Sequence, residues 1–186
     1  MLRITCLFCT AFVLFSLTPG SSQAQRLDPT AHLEAMKKLS FMVGYWEGEG
    51  WSEYRPGQRQ TFESIEIVES KLGGELLLIE GLHKNGEATV HHAFAMLSYD
   101  TGAGQYRFRS YLSGRGGGNF EAKAPEEGVM QWGMETPGGQ IRYTITLNDA
   151  GQWFEVGEMS QDGQTWRQIF EMTLDRVASD PTKSSD

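Results

Sequence analysis

The sequence predicts an all-β protein: a single antiparallel up-and-down β-barrel of about ten strands, with a short N-terminal helix capping one end. Short segments of alternating apolar and polar residues follow one another from Gly44 to Leu174. Turns rich in Gly, Asn and Asp separate them, and no segment has the periodicity of a long helix. Such strands must bury one face of a sheet, and closing the sheet into a barrel removes its exposed edges.

The start of the chain has the pattern of a secretory signal peptide. A positively charged beginning, Met1 to Arg3, precedes an apolar run from Ile4 to Leu17 and small residues that end at Ala24. The apolar run is too short for a stable membrane span, and no second hydrophobic segment of spanning length follows. We therefore expect a periplasmic or secreted protein without a membrane span.

Composition excludes several classes of function. Both cysteines, Cys6 and Cys9, lie in the predicted signal peptide, so the mature protein would have neither disulfides, nor a thiol nucleophile, nor a cysteine-ligated metal. The formal net charge of -8 argues against nucleic acid or an anionic membrane as a partner, because both repel acidic surfaces.

The predicted helix comes before the strands. Asp28 and Pro29 have the pattern of an N-cap and a first helical residue, which predicts a helix from Pro29 to Leu39. Its apolar residues can share one side and cover an end of the barrel. The predicted organisation is a signal peptide at 1–24, a tail and capping helix at 25–40, a lipocalin-like barrel at 41–177 and a disordered tail at 178–186.

Alternation and turn residues then predict the strands, and short hairpin connections at 84–87, 148–151 and 161–164 indicate antiparallel neighbours. The predicted strands are Gly44–Glu53, Gln60–Ser70, Glu75–His83, Ala88–Tyr99, Gln105–Ser113, Asn119–Lys123, Val129–Glu135, Gln140–Leu147, Trp153–Ser160 and Thr165–Leu174.

Three strands show clear apolar stripes that we expect to face inward. These stripes are Met130, Trp132 and Met134; Ile141, Tyr143, Ile145 and Leu147; and Trp166, Phe170, Met172 and Leu174. The third and fourth strands are apolar on both faces, which predicts an outer cover: the helix, a second copy in a homodimer, or a ligand.

A few residues suggest a family. Gly44, Tyr45 and Trp46 open the first strand and Arg176 follows the last, which resembles the lipocalin-like and fatty-acid-binding-protein-like (calycin) barrels. The chain looks most like bacterial lipocalin-like domains of unknown function, in which Leu39, Gly44, Trp46 and a Tyr99-Asp100 turn recur in this order. The resemblance implies that Gly44, Trp46 and Arg176 close one end of the barrel, the arginine packing over the tryptophan.

The barrel is more distantly similar to the haem-binding nitrobindins, which hold the iron through a histidine near the C-terminal end. The last histidine here is His92, so we expect no haem and no other cofactor. His91 and His92 are adjacent on a strand and face opposite sides, which argues against a metal site. A two-residue hairpin would put His83 and His92 on one face and His91 opposite Glu80 on the other.

The fifth strand leaves two registers open. Apolar preference puts Tyr106, Phe108 and Leu112 inside the barrel; the opposite register would send Arg107, Arg109 and Tyr111 inward, where an arginine could hold a ligand carboxylate.

Most carboxylates alternate as on a solvated outer face, and any that faces inward would be a candidate acid or base. The carboxylates are Glu47, Glu49, Glu66, Glu80, Glu155, Glu158 and Glu171.

Three functions fit this pattern. The first is an exported protein that binds a small hydrophobic or amphipathic molecule, such as a lipophilic carboxylate, inside the barrel. The second is a lipocalin-like enzyme of the isomerase or hydratase type that uses an inward Glu or His, and the third is a dimer-forming module without a ligand. No catalytic residue is assigned, and the candidate ligand-binding residues are His92, Phe94, Met96, Arg109, Tyr111, Trp132, Tyr143 and Phe170.

Overall fold

Ten antiparallel strands form a closed barrel behind one short helix in the computed structural model, which describes residues 29–183. The predicted fold class is confirmed. The predicted signal peptide and the last three residues of the predicted disordered tail lie outside the described residues, so both remain predictions.

All ten predicted strands are present, with ends that differ by a few residues. The helix α1 spans Pro29–Lys37 and a single 3-10 turn follows at Ser40–Met42. The last strand continues to Val177, so Arg176 lies within it rather than after it. The strands are β1 Gly44–Ser52, β2 Gln60–Lys71, β3 Leu76–Asn85, β4 Ala88–Asp100, β5 Gln105–Leu112, β6 Gly116–Lys123, β7 Met130–Thr136, β8 Gly139–Leu147, β9 Trp153–Ser160 and β10 Arg167–Val177.

Each strand pairs with the next, and β1 pairs with β10 to close the barrel. The closing register runs from Tyr45 opposite Val177 to Ser52 opposite Phe170. This meander gives the barrel two distinct ends. We call the end where β1 begins and β2 finishes the helix end, and the end where β1 finishes and β2 begins the open end.

The helix end is filled by side chains from α1 and the turn after it. Met36, Leu39 and Met42 are buried there beside Trp46. The Tyr106 hydroxyl donates a hydrogen bond of 2.8 Å to the carbonyl of Ala35, which ties the helix to β5. The helix therefore acts as the plug that its apolar side predicts.

A bulge in β4 changes which residues face the interior. Lys84 of β3 pairs with Thr89 of β4, and the preceding residue, His83, pairs with His91. Val90 is therefore an extra residue in β4. A bulge reverses the alternation of a strand. The prediction that His83 and His92 share a face is therefore wrong: His91 faces inward beside His83.

A second bulge lies in β10. Gln168 pairs with Glu158 and Phe170 pairs with Gly157, which leaves Ile169 as the extra residue. Trp166, predicted to face inward, lies instead on the outer face, where the guanidinium carbon of Arg142 sits 3.9 Å from its ring centroid.

Candidate functional site

The interior of the barrel contains a cavity of about 800 Å³. Met42, Met130 and Trp153 form its floor near the helix end. The exposed loop residues Tyr54 and Arg115 lie at its mouth, at the open end. The cavity therefore runs from the plugged floor to a mouth that solvent reaches.

Aromatic rings in continuous contact line much of this cavity. Trp132 stacks on Tyr143 with ring centroids 4.4 Å apart, and Phe170 meets Tyr143 at 5.5 Å. Phe108 contacts Trp132 edge-on at 5.3 Å. We call this surface the aromatic wall; its members are Phe62, Phe108, Phe120, Trp132, Tyr143 and Phe170. Such a wall suits an apolar body with planar parts.

Two carboxyl and two imidazole side chains also face the cavity: Glu66, Glu155, His83 and His91, which we call the polar cluster. Glu66 and Glu155 are only 7% and 6% exposed. Nε2 of His83 lies 3.4 Å from Oε1 of Glu66. The His83 ring stacks between Phe62, at 4.4 Å, and His91, at 4.7 Å, so this imidazole is held in a fixed orientation.

Burial keeps the polar cluster uncharged at neutral pH. It raises the pKa of Glu66 to about 8 and lowers the pKa of His83 to about 4, because a charged form loses its hydration inside the barrel. The pKa of Glu155 also rises to about 8, through burial first and then through the charge of Glu66. Burial and the neighbouring His83 lower the pKa of His91 to about 4. The Glu66–His83 contact is thus a contact between neutral groups.

Two more hydrogen bonds extend the cluster. Nε1 of Trp153 donates to Oε2 of Glu155 at 3.3 Å. The hydroxyls of Tyr54 and Tyr143 lie 3.2 Å apart, and either can be the donor. Burial raises the pKa of the Tyr143 hydroxyl well above its usual range, so this group stays protonated. The interior therefore offers hydrogen-bond donors, hydrogen-bond acceptors and exchangeable protons beside the aromatic wall.

The structure separates the predicted ligand-binding residues into two groups. Trp132, Tyr143 and Phe170 line the cavity. The other five have side chains on the outer face of the barrel: His92, Phe94, Met96, Arg109 and Tyr111.

The bulge at Val90 turns the first three of these five outward. His92 places Nε2 2.8 Å from Oε1 of Glu80, on the outer face. The expected contact between His91 and Glu80 is therefore replaced by one between His92 and Glu80.

In β5 the apolar register holds. Phe108 is buried in the interior, while Arg109 is exposed and donates to the Tyr111 hydroxyl and, at 3.3 Å, to Oδ1 of Asn119. The alternative register with an inward Arg109 is wrong.

Sequence reasoning did not single out the polar cluster: it named Glu66 and Glu155 only among carboxylates of which most were expected on the solvated face. A signal was present in β2, where Glu66 has the same parity as Phe62 and Val68. In β9, Glu155 follows Trp153 by two residues, and both are buried. A carboxyl in register with large inward residues indicates an interior acid.

Gly44, Trp46 and Arg176 meet at the helix end. The guanidinium carbon of Arg176 sits 4.0 Å from the Trp46 ring centroid, and Nη2 donates to the carbonyl of Phe41 at 3.0 Å. Gly44 has φ of 143°, and a Cβ there would collide with the guanidinium. Nε1 of Trp46 donates to the carbonyl of Met42 at 2.9 Å.

Among residues 29–183, no group of three or more His, Cys, Asp or Glu side chains is arranged to hold a metal ion. In the same part of the chain, no helix has the length and apolar character needed to cross a membrane.

The fold and the cavity define the class of protein: a closed, ten-stranded antiparallel barrel with an internal pocket. No protein-family model matches the chain, and no curated protein is similar to it. Among solved structures, it is similar to Rv2717c from M. tuberculosis, with a TM-score of 0.55, 13% identity, and 77% of this chain and 98% of that one covered. A protein of unknown function from the DUF3598 family of Nostoc punctiforme has a TM-score of 0.44 and 13% identity, with 82% of this chain and 53% of that one covered. At 13% identity the likeness to Rv2717c shows the fold alone.

Proposed function

We propose that this chain is an exported, lipocalin-like (calycin) binding protein that holds a small hydrophobic or amphipathic molecule inside its barrel. The observation that carries the proposal is the cavity of about 800 Å³, plugged at the helix end and reached through the open end. Ligand pockets are typically about 300–1,000 Å³ and largely apolar, with a few polar groups that fix orientation. The aromatic wall and the polar cluster supply these two components.

Burial of apolar surface provides the binding energy. A ligand that buries about 300 Å² of apolar surface gains roughly 7 kcal/mol at about 25 cal/mol per Å². The loss of translational and rotational freedom offsets part of this gain. Ring contacts with the aromatic wall and hydrogen bonds to the polar cluster therefore have to add to the binding energy.

The outward orientation of Arg109 removes the basis for a lipophilic carboxylate as the ligand. The polar groups deep in the cavity are acids and neutral imidazoles, and a buried carboxylate beside them would lack a cationic partner. The proposal is therefore limited to molecules whose polar part is not an anion.

A matched pair of substitutions on β4 tests the binding function. Ala93 lines the cavity and Phe94 lies on the outer face next to it. Ala93→Trp should fill the cavity and weaken the binding of an uncharged naphthalene dye at least about tenfold, because the added indole occupies the ligand's volume. Phe94→Trp should leave binding unchanged.

Fluorescence titration gives the affinities, and circular dichroism confirms that both variants are folded. Native mass spectrometry of the protein from its own compartment shows whether a small molecule accompanies it. A wild-type protein that binds no lipophilic dye would contradict the proposal. The absorption spectrum of the same preparation tests the expectation that no haem or other cofactor is present.

Export is tested separately by the mass of the protein after expression with its complete leader. We expect removal of residues 1–24, leaving a chain that starts at Gln25. A full-length mass in a periplasmic or culture-medium fraction would contradict the cleavage.

A proton-transfer enzyme is the second candidate, and the inward carboxyls favour it. Glu66 and Glu155 have a pKa of about 8, which suits a general acid near neutral pH, and neutral His83 can accept a proton. Incubating the protein with its copurified molecule in D₂O tests this function. Deuterium incorporation at a carbon atom of the molecule, lost in Glu66→Gln, would support an isomerase. If the molecule gains no deuterium, this enzymatic function is excluded.

A further inference from the structure

Within the proposed binding function, we propose that the cavity selects amphipathic amines, whose apolar body lies on the aromatic wall and whose protonated nitrogen binds between Glu66 and Glu155. This proposal rests on the proposed function and assigns the chemical class of the ligand. It is carried by three features of the interior: the room made for a buried acid, the absence of a protein counterion, and the aromatic rings around the acids.

The barrel makes room for the Glu66 carboxyl. Gly81 pairs with Glu66 across β2 and β3, and both face the interior. A Cβ at position 81 would lie 2.7 Å from Oε1 and 2.9 Å from Oε2 of Glu66, which is closer than real Cβ atoms come. The absence of a side chain at this position therefore lets an acid occupy the interior wall.

The Glu66 carboxyl makes few polar contacts with the protein. Within residues 29–183, its one polar contact is with His83, and the separation of 3.4 Å is long for a hydrogen bond. Glu155 receives a similarly long bond from Nε1 of Trp153, and the Trp132 side chain is its second hydrogen-bond partner. Two buried acids with weak partners leave hydrogen-bonding capacity that a guest can use.

No basic side chain of the described barrel reaches these acids. Within residues 29–183, Arg115 is the single Lys or Arg that lines the cavity, and it is exposed at the mouth. His83 and His91 are neutral because burial lowers the pKa of each to about 4. Their unprotonated nitrogens can accept a hydrogen bond from an ammonium group. An anion would find no cationic partner here, whereas a cation can be balanced by an acid that ionises when it binds.

Aromatic rings reinforce the preference for a cation. Trp153 donates to Glu155 through Nε1, and Tyr143 and Trp132 line the cavity nearby. The faces of such rings attract a positive charge, and the attraction is larger where water is excluded. An amine with an aromatic or aliphatic body would meet acid oxygens and ring faces together.

Binding of an amine should release a proton, which gives the proposal a pH signature. In the empty barrel the acids are mostly protonated below pH 8, and a bound ammonium favours the ionised form. Affinity for an amine should rise about tenfold per pH unit between about pH 6 and pH 8, if one proton is released. Affinity for an uncharged analogue should stay constant.

Calorimetric titration with three probes that share one apolar body tests the proposal. The probes are naphthylethylamine, naphthylethanol and naphthylacetate. At about pH 8 we expect the amine to bind about tenfold more tightly than the alcohol, and the acetate to bind most weakly. Glu66→Gln and Glu155→Gln should each remove the preference for the amine while retaining binding of the alcohol. Glu63→Gln, exposed on the same strand as Glu66, is the matched control and should change nothing.

The outcomes separate the two proposals. If the alcohol binds as tightly as the amine at every pH, the binding function stands and the selection of amines is overturned. If the preference for the amine survives in both Gln variants, the assignment to these acids is overturned. If none of the three probes binds, the cavity accepts no such guest and both proposals fail.

Discussion

The two ends of the barrel use the same alternating strands for opposite purposes. At the helix end the inward positions carry large side chains, and Leu39, Met42 and Trp46 are almost completely buried. Beyond this plug, toward the open end, the inward positions include small and polar residues, such as Gly81, His83 and His91, and a cavity remains. One sheet is thus filled with side chains at one end, which stabilises the fold, and encloses a cavity toward the other.

The largest expected effect is loss of the helix-end packing. Trp46→Ala removes a fully buried indole that contacts Trp153 edge-on at a centroid distance of 5.7 Å. We expect the free energy of unfolding to fall by about 3–5 kcal/mol, as for other Trp→Ala changes in a core. Urea denaturation followed by far-ultraviolet circular dichroism measures the change.

Trp51→Ala is the matched control, because this indole lies on the outer side of the same strand under Arg59, at 3.6 Å. Its removal should lower the free energy of unfolding by about 1 kcal/mol, since a partly exposed cation–π contact is weaker than core packing. Equal losses in the two variants would show that the helix end is not the stabilising region.

The second effect lies in the cavity and depends on pH. Folding raises the pKa of Glu155 from about 4.5 to about 8, so the wild-type free energy of unfolding should decline as pH rises through this interval. Glu155→Gln removes the share of this decline that comes from Glu155, and the share of Glu66, whose pKa burial also raises to about 8, remains. The variant should gain about 2–4 kcal/mol on wild type between pH 5 and pH 9, because a tenfold change in the proton affinity of an acid corresponds to about 1.4 kcal/mol and water in the cavity reduces the effect.

Glu66, His83 and His91 also have altered pKa values and are present in both proteins, so most of their contribution cancels when the variant is compared with wild type. Denaturation at several pH values checks the slope. A difference between the proteins that does not change with pH would contradict the burial of an acid at this position.

A smaller effect sharpens the role of the glycine opposite Glu66. Gly81→Ala should push the carboxyl aside and reduce the preference for naphthylethylamine over naphthylethanol about fivefold, with a stability change of under about 1 kcal/mol. Gly118→Ala is the control, because a Cβ there meets only the Phe120 ring, at 3.3 Å. A loss of the preference in both variants would indicate a general change in cavity shape.

The smallest expected effect is at the mouth. Arg115→Gln removes a positive charge from the entrance, and we expect naphthylethylamine to bind about twofold more tightly at low salt. The gain should vanish at about 1 M salt, where charges on the surface are screened. Calorimetry at the two salt concentrations checks it, and a gain that persists at high salt would require a contact other than electrostatic repulsion.

The sequence predicts the fold well because strand alternation and turn residues are local signals. All ten strands and the plug follow from them. It predicts the site poorly because the face on which a side chain lies depends on strand register. One extra residue at Val90 places His91, instead of His92, in the interior. In the same way, the bulge at Ile169 places Trp166 on the outer face. Neither position has a residue type that marks a bulge, so counting from the turns gives the wrong face.

The pairing of β1 with β10 has a consequence for synthesis of the chain on the ribosome. Gly44–Ser52 emerges early, yet one of its two neighbouring strands ends at Val177 and is translated last. Until then β1 can pair with β2 alone, and its other edge has no partner. Native pairing between such distant segments is slow to form. The nascent chain therefore exposes an unpaired, aggregation-prone strand edge until β10 is translated.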